Sequence, residues 1–220
     1  MEKLAEGIYA FSNIVANQYL LVDHDGLTLI DTGLKSNYRN IVQGIRAIGS
    51  QVNDLKNVLI THADLDHYGA LGSFKQNSNV TSCTSQLEAE AIEAGRSSRV
   101  LKFNRNIHNI IFQMIEPVAM RAPTAKIDRI LSPGDQLDIA GGMLVIDSKG
   151  HTPGHLSFYL PKQNILFSGD TIFLKKGKLI PSYGINCWDE GCAIESLEQQ
   201  LKLSPRLICG GHGIIDLESR

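Results

Sequence analysis

The sequence has no apolar run that approaches the length needed to cross a bilayer as a helix. Its N-terminus has no basic segment followed by an apolar stretch, so we expect no signal peptide. No charge of one sign dominates either, because the net charge is only -2 at pH 7. A balance so close to zero argues against a protein that binds nucleic acid over its surface. We therefore expect neither a membrane nor a nucleic acid as partner.

Cysteine is scarce, and no Cys-x-x-Cys pair is present. Two of the four cysteines, Cys83 and Cys209, end predicted strands. We expect four reduced thiols, as in a cytoplasmic protein. A zinc-binding role for Cys187 and Cys192 is the alternative.

The chain has 220 residues, of which 43% are hydrophobic and 20% are charged, and this composition is ordinary for a globular protein. A chain of this length forms one large domain or two small ones. We expect a single domain over residues 1–220 and make no prediction of its oligomeric state.

Short apolar or alternating runs predict a mostly β-structured protein with a few helices. The predicted strands are residues 8–11, 18–22, 27–30, 58–60, 79–83, 136–139, 143–146, 155–160, 164–167 and 206–209. Helical spacing of apolar residues predicts helices over 37–48, from Ser85 onward and over 192–202. The order Ser85-Gln86-Leu87-Glu88 matches a capping box at the start of the second helix. We expect Ile194, Leu197 and Leu201 to face inward on the third.

The densest functional pattern is Thr61-His62-Ala63-Asp64-Leu65-Asp66-His67, which follows an apolar strand. It holds four side chains able to bind a metal, His62, Asp64, Asp66 and His67. Charged groups at the end of a buried strand are costly to desolvate unless they are paired or bind a cation. His62 and Asp64 are two residues apart and project to one side of an extended backbone, whereas Asp66 and His67 diverge and could serve a second ion. A solvated polar turn is the alternative interpretation.

The same pattern recurs along the chain, since a strand ends and a histidine or aspartate follows at Asp31, His62, His151, Asp170 and His212. Strand ends from distant parts of a sequence can build one site at the edge of a sheet. We therefore predict that these side chains meet. For Asp31 two roles stay open: the N-cap of the next helix, or an acceptor that orients a metal-bound histidine.

The regular pattern is interrupted between residues 96 and 129, which hold seven lysines or arginines against two acidic residues, a local charge of +5. Apolar residues at helical spacing, from Ile107 to Met114, predict a helix in this segment. It could be a solvated surface segment, or a basic helical cap over the site that attracts an anionic substrate. Tyr183 and the lysine-rich turn at 175–178 could likewise line a substrate loop or form a plain surface loop.

Five motifs together resemble the metallo-β-lactamase fold superfamily of metal-dependent hydrolases. In chain order they are Leu29-Ile30-Asp31-Thr32-Gly33, Thr61-His62-Ala63-Asp64-Leu65-Asp66-His67, Gly150-His151-Thr152-Pro153-Gly154-His155, Ser168-Gly169-Asp170-Thr171 and Gly211-His212-Gly213. The resemblance covers nearly the whole chain. It implies an α+β fold, a four-layer αββα sandwich in which two mixed sheets face each other with helices outside.

The resemblance also implies a site with two divalent metal ions, most commonly zinc. Metal one is expected on His62, Asp64 and His151, and metal two on Asp66, His67 and His212. Asp170 is expected to bridge the ions, and Asp31 to support a ligand from behind. The trailing histidine of the motif, His155, is not expected to be a ligand.

Asp64 departs from the family pattern, because the usual HxHxDH motif becomes HxDxDH here. With two divalent ions and one hydroxide, the extra carboxylate changes the formal charge of the site from +1 to zero. A less positive site lowers the pKa of bound water less, and more oxygen ligands suit manganese or iron as well as zinc. A branch of the family with glutamate at this position holds two irons and performs redox chemistry.

The resemblance predicts hydrolysis in which a hydroxide held by the metals attacks the substrate, with Asp66 carrying the proton. We expect a small ester, lactone or thioester as substrate. The alternatives are a phosphodiesterase, an iron-dependent oxidoreductase of the same fold, and a metal-binding protein without hydrolytic activity. The fold alone does not choose among them.

Overall fold

Two mixed β-sheets form the centre of the protein, whose computed structural model describes residues 1–12, 14–99 and 123–219. The first sheet contains, in spatial order, β1 (Glu2–Ala5), β2 (Ile8–Phe11), β3 (Gln18–Asp23), β4 (Gly26–Ile30), β5 (Leu55–Leu59), β6 (Thr81–Thr84) and β7 (Arg129–Ile130). The second sheet has the order β15 (Gly213–Asp216), β14 (Leu207–Gly210), β11 (Ile165–Gly169), β10 (Leu156–Leu160), β9 (Met143–Asp147) and β8 (Gln136–Leu137). A separate hairpin joins β12 (Ile172–Lys175) to β13 (Lys178–Pro181).

The two sheets pack face to face through apolar side chains that alternate along their strands. Leu21, Ile30 and Leu59 of the first sheet share one buried cluster with Phe158 and Phe167 of the second. Within the first sheet β1 to β4 are antiparallel, and β4 to β7 are parallel. The Asp25-Gly26 turn forms the predicted hairpin between β3 and β4.

Helices cover the outer face of each sheet. The helices are α1 (Asn37–Ala47), α2 (Leu65–Tyr68), α3 (Leu71–Asn77), α4 (Gln86–Glu93) and α5 (Glu190–Lys202), with short 3-10 turns at Val52–Asp54 and Gly184–Asn186. Ile41, Ile45 and Phe74 pack on the first sheet, and Leu197 and Leu201 pack on the second. The predicted four-layer αββα arrangement is confirmed.

Helix α5 buries a different face from the one that its apolar residues predict. Ile194 is 50% exposed, whereas Ala193, Ser196 and Gln200 are buried. The reason is that the outer face of β10 is partly polar: the Gln200 side chain accepts a hydrogen bond from Ser157 Oγ at 3.0 Å. The prediction was wrong for Ile194, while Leu197 and Leu201 are partly buried as expected.

The predicted helical cap at 96–129 lies largely outside the described residues, which resume at residue 123. In the described part of that segment, residues 97–99 approach the site and Arg129–Ile130 form β7. None of the helices in the described part of the chain is long and apolar enough to span a membrane.

Candidate metal centre

The polar side chains predicted to form a site meet at one edge of the sandwich, where several strands end. Asp31 directly follows β4, and Asp170 directly follows β11. His62 lies shortly after β5, His151 lies between β9 and β10, and His212 lies in the turn between β14 and β15. Because β4 pairs in parallel with β5, and β11 with β14, each pair delivers its residues to the same edge.

The ligand-type atoms of this edge form three overlapping clusters, and within each cluster the atoms lie within 4.8 Å of one another. The clusters are His62, His67 and Asp170; His62, Asp64 and His151; and Asp66, His67 and His212. Together they contain every residue predicted as a metal ligand. The second and third clusters are the sets that the resemblance assigns to metal one and metal two, and these assignments remain predictions.

Among the residues that the structure describes, three buried polar atoms at the centre of the site have no hydrogen-bond partner: His62 Nε2, His67 Nε2 and Asp170 Oδ1. All three belong to one cluster, and His67 Nε2 lies 3.4 Å from Asp170 Oδ1. Buried polar atoms are nearly always satisfied, so a group of three without partners calls for an explanation. Two imidazole nitrogens and a carboxylate oxygen are ligands that divalent transition metals accept, so a divalent cation fits here.

Asp31 contacts the His67 ring, and its alternative prediction as the N-cap of the next helix is wrong. Its Oδ2 lies 2.7 Å from His67 Nδ1, and it also accepts hydrogen bonds from the backbone N–H and the hydroxyl of Thr61, each at 2.9 Å. The N-cap of α1 is Ser36 instead. Asp31 has a positive φ of 57°, a strained backbone conformation of the kind that collects at functional sites. A carboxylate behind an imidazole fixes which ring nitrogen faces a metal.

His67 and Asp170 form a strongly coupled buried pair. Burial lowers the pKa of His67, but the charges of Asp170 and Asp31 outweigh it and raise that pKa well above its usual value. Burial raises the pKa of Asp170, yet the charge of His67 and the hydrogen bond from His212 hold it well below the usual value. A divalent cation bound at this part of the site would compete with a proton for His67.

Asp66 and His212 lie at the solvent side of the centre. The Asp66 side chain is 24% exposed, and its Oδ2 lies 3.9 Å from both His67 Nε2 and His212 Nε2. His212 Nε2 lies 3.0 Å from Asp170 Oδ2, and this hydrogen bond raises the pKa of His212.

His155, which was not expected to be a ligand, is buried behind the centre, and both of its ring nitrogens make hydrogen bonds. Its Nδ1 lies 2.8 Å from Ser148 Oγ, and its Nε2 accepts a hydrogen bond from the backbone N–H of Asp170 at 3.2 Å. Burial, with the neighbouring His62 and His151, lowers the pKa of His155 well below its usual value. His155 is therefore a neutral imidazole that positions the backbone of Asp170.

Arg99 contacts two of the residues predicted to hold metal one, and the sequence did not point to it. Its Nη2 lies 2.7 Å from Asp64 Oδ2, and its Nη1 lies 2.6 Å from His151 Nε2. Burial raises the pKa of Asp64, but its contacts with His151 Nε2 at 3.2 Å and His62 Nε2 at 3.5 Å, together with the charge of Arg99, outweigh burial and hold that pKa well below its usual value. Asp64 is therefore an ionised carboxylate paired with a guanidinium.

Glu88 is the second residue that sequence reasoning missed, because its spacing from Ser85 suggested a helix cap. Ser85 is the N-cap of α4, as predicted, but the Glu88 carboxylate is fully buried and bonds elsewhere. It accepts four hydrogen bonds: from Ala63 N and Ser98 Oγ on Oε2, each at 2.7 Å, and from Thr152 Oγ1 at 2.7 Å and Gly154 N at 2.9 Å on Oε1. Glu88 thereby joins the two motif loops that carry His62 and His151. Its burial next to two motif loops is visible only in three dimensions.

The loop that contains Tyr183 contacts the site through the preceding residue, Ser182. Ser182 Oγ lies 3.0 Å from His151 Nδ1, whereas Tyr183 is 54% exposed and its hydroxyl accepts a hydrogen bond from Lys175 at 2.8 Å. Tyr183 remains a predicted substrate-loop residue.

The cysteines form no disulfide, and none of the metal-type clusters in the described residues contains Cys187 or Cys192.

Comparisons with known proteins agree with this arrangement. The family model of the metallo-beta-lactamase superfamily matches residues 13–212. The protein YobT of Bacillus subtilis (strain 168) is 27% identical over 208 residues, which cover 90% of this chain and 82% of that protein. A hydroxyacylglutathione hydrolase from Erythrobacter litoralis (strain HTCC2594) is 37% identical over 79 residues, which cover 35% of this chain and only 32% of that enzyme.

Solved structures show the same fold. A metallo-beta-lactamase family protein from Thermus thermophilus superimposes with a TM-score of 0.71 and 23% identity, covering 99% of this chain and 78% of that one. The family match spans most of the chain and includes every motif residue at the strand ends. The chain belongs to the metallo-beta-lactamase superfamily.

Proposed function

We propose that this protein is a metal-dependent hydrolase that acts on a small carbonyl ester, lactone or thioester. The observation that carries the proposal is the group of buried, unpartnered atoms at the strand ends, His62 Nε2, His67 Nε2 and Asp170 Oδ1. An unpaired buried polar atom costs on the order of 1–3 kcal/mol, so three together favour a site built for a cation. Membership of a superfamily of hydrolases supports the same conclusion.

The proposed ion is zinc, because imidazole nitrogens and carboxylate oxygens are its usual ligands in hydrolytic sites. Such an ion supplies a water of lowered pKa and polarises the carbonyl under attack. Asp31 holds His67 with Nε2 facing the centre, and His212 and Asp170 fix each other across 3.0 Å. Asp66 is the proposed proton carrier, because it is half-buried at the solvent side of the centre and lies within 3.9 Å of two histidines.

An open depression of about 310 Å³ lies beside His212 and is lined by Ser12, Ile14, Asn17, His212, Gly213 and Ile214. The similarity of one segment to a hydroxyacylglutathione hydrolase, whose named substrate is a thioester, supports a carbonyl rather than a phosphoryl substrate.

The alternatives differ in what they require of Asp64. The extra carboxylate, Asp64, was the reason to consider an iron-dependent oxidoreductase. Because Asp64 forms an ion pair with Arg99, it is less available as an oxygen ligand, and the reason for preferring iron is weaker. A metal-binding protein without turnover would share the same metal centre.

The test is a hydrolysis panel of a lactone, a glutathione thioester, an aryl ester and a phosphodiester, with chelator-treated protein as control. The proposal expects turnover of at least one carbonyl substrate that is lost on metal removal and restored by zinc. Turnover of the phosphodiester alone would contradict the proposal and favour a phosphodiesterase. Zinc binding without turnover of any substrate would favour the non-catalytic alternative.

A further inference from the structure

Arg99 fills the half of the site that the resemblance assigns to metal one. Its guanidinium bridges Asp64 Oδ2 at 2.7 Å and His151 Nε2 at 2.6 Å, and the side chain is only 7% exposed. The His151 ring fits this contact, because its Nδ1 lies 3.0 Å from Ser182 Oγ and can donate there while Nε2 accepts from arginine. The lone pair of Nε2 that would bind a metal is thus directed at an N–H group.

The position of Arg99 is supported by the two residues before it. Ser97 Oγ donates a hydrogen bond to Asp64 Oδ1 at 2.8 Å, and Ser98 Oγ donates one to Glu88 Oε2 at 2.7 Å. Three consecutive residues therefore attach this segment to the site. Both oxygens of Asp64 are occupied, one by Ser97 and the other by Arg99.

We propose that Arg99 is a resident cation in the half-site of His62, Asp64 and His151, so that the protein holds one divalent ion per chain instead of two. The ion binds on the other side, where His67 Nε2 and Asp170 Oδ1 have no hydrogen-bond partner among the described residues and where Asp66 and His212 lie beside His67. The inference rests on the proposed function only in taking this centre to bind a divalent ion.

The departure from the HxHxDH pattern and the arginine explain each other. Asp64 forms a buried ion pair with the guanidinium, which a neutral histidine at position 64 would not provide. With one divalent ion and a neutral bound water, the positive charges of the ion and of Arg99 equal the three negative charges of Asp64, Asp66 and Asp170. A second divalent ion would raise this sum from zero to +2 and would lie next to the guanidinium, where the low dielectric of a buried site strengthens the repulsion between like charges.

The experiment is the zinc content per chain, measured by elemental analysis and by calorimetric titration of chelator-stripped full-length protein. Wild type is expected to bind one zinc ion. Arg99→Ala is expected to bind two, because Asp64 and His151 are released to join His62. Arg99→Met serves as a second variant that keeps the volume of the side chain. The matched control is Arg96→Ala, an exposed arginine three residues earlier, which should stay at one.

Two zinc ions in wild type would overturn the inference and leave the proposed hydrolase intact. One ion in both wild type and the two Arg99 variants would also overturn it, because the arginine would then not be what excludes the second ion. No zinc in any of the proteins would contradict both this inference and the metal-dependent function. If Arg99→Ala fails to fold, Arg99→Met decides the question. Two zinc ions in folded Arg99→Met would support the inference, and one zinc ion would contradict it.

Discussion

Replacing Glu88 with glutamine should destabilise the protein far more than an ordinary change of one atom. The carboxylate accepts two hydrogen bonds on each oxygen, in each case one from a backbone N–H and one from a hydroxyl. A glutamine keeps one oxygen, and its NH₂ group faces the other pair of donors. The hydroxyl of that pair can rotate and accept, but the backbone N–H of Ala63 or Gly154 then loses its acceptor.

The size of the effect follows from these contacts. A stranded buried N–H costs about 1–3 kcal/mol, and the remaining bonds weaken because hydrogen bonds to charged groups contribute about 1 kcal/mol more than neutral ones. Relief from burying a carboxylate offsets part of this loss. We therefore expect Glu88→Gln to lower the free energy of unfolding by about 3 kcal/mol. For a chain of this size that corresponds to a fall in Tm on the order of 10 °C.

The assay is urea and thermal unfolding of chelator-stripped protein, because a bound metal would mask the effect and complicate a two-state analysis. Glu90→Gln is the matched control, since Glu90 lies on the same helix and is exposed. A loss below about 0.5 kcal/mol for Glu88→Gln, as expected for surface changes, would refute the proposed role of this carboxylate in holding the motif loops.

Three further predictions concern the centre itself. Gly211→Ala should lower the free energy of unfolding by about 1–3 kcal/mol and weaken zinc binding, because the new Cβ would collide with Asp170 Oδ1 and lie 2.7 Å from His67 Cε1. The control is Gly213→Ala, whose Cβ would point into open space and which should change neither stability nor zinc binding. Asp31→Asn should lower zinc affinity by about 10–100-fold in a calorimetric titration, because His67 loses the carboxylate behind it; unchanged affinity would contradict that role. In the metal-free protein, protonation of His67 stabilises the folded state because its pKa is raised there. This contribution is complete at pH values below about 6.5, the pKa of an unfolded histidine, and is lost as the pH rises through the folded-state pKa. Urea unfolding should therefore show falling stability above about pH 6.5 without metal and a smaller fall with zinc, which needs the deprotonated ring.

Much of the sandwich and the predicted ligand set follows from local patterns. Buried strands appear as short apolar runs, and strand ends that carry histidine or aspartate identify one edge of the sheets. Thus β4, β5 and β11 lie within a few residues of their predicted positions, and Asp31, His62 and Asp170 follow them. The edge strands β1 and β7 were not predicted, because strands of two to four residues with few buried side chains carry little apolar signal. The β12–β13 hairpin was not predicted either, because the lysines at 175–178 suggested a turn and the apolar residues on both sides of it were not recognised as strands.

The residues that were missed act through distant contacts. Glu88 has the spacing of a capping residue, and only the fold brings it next to Ala63 and Gly154. Arg99 lies in a basic segment that was predicted to be either a solvated surface or a cap over the site, and only its three-dimensional position pairs it with Asp64. Ile194 was placed inward because apolar residues usually face a core, but α5 packs on a partly polar sheet face. A pattern along the chain does not specify such partners.

Whether the strand-end centre carries the chemistry is tested by measuring hydrolysis of the responsive carbonyl substrate while zinc is added stepwise to chelator-stripped protein. Turnover should rise with added zinc and saturate, and Asp170→Asn, which leaves His67 and His212 without their shared carboxylate, should show less than about a hundredth of the rate at the same zinc concentration. Turnover that persists in the stripped protein, or that is unchanged in Asp170→Asn, would contradict the claim that the strand-end centre carries the chemistry.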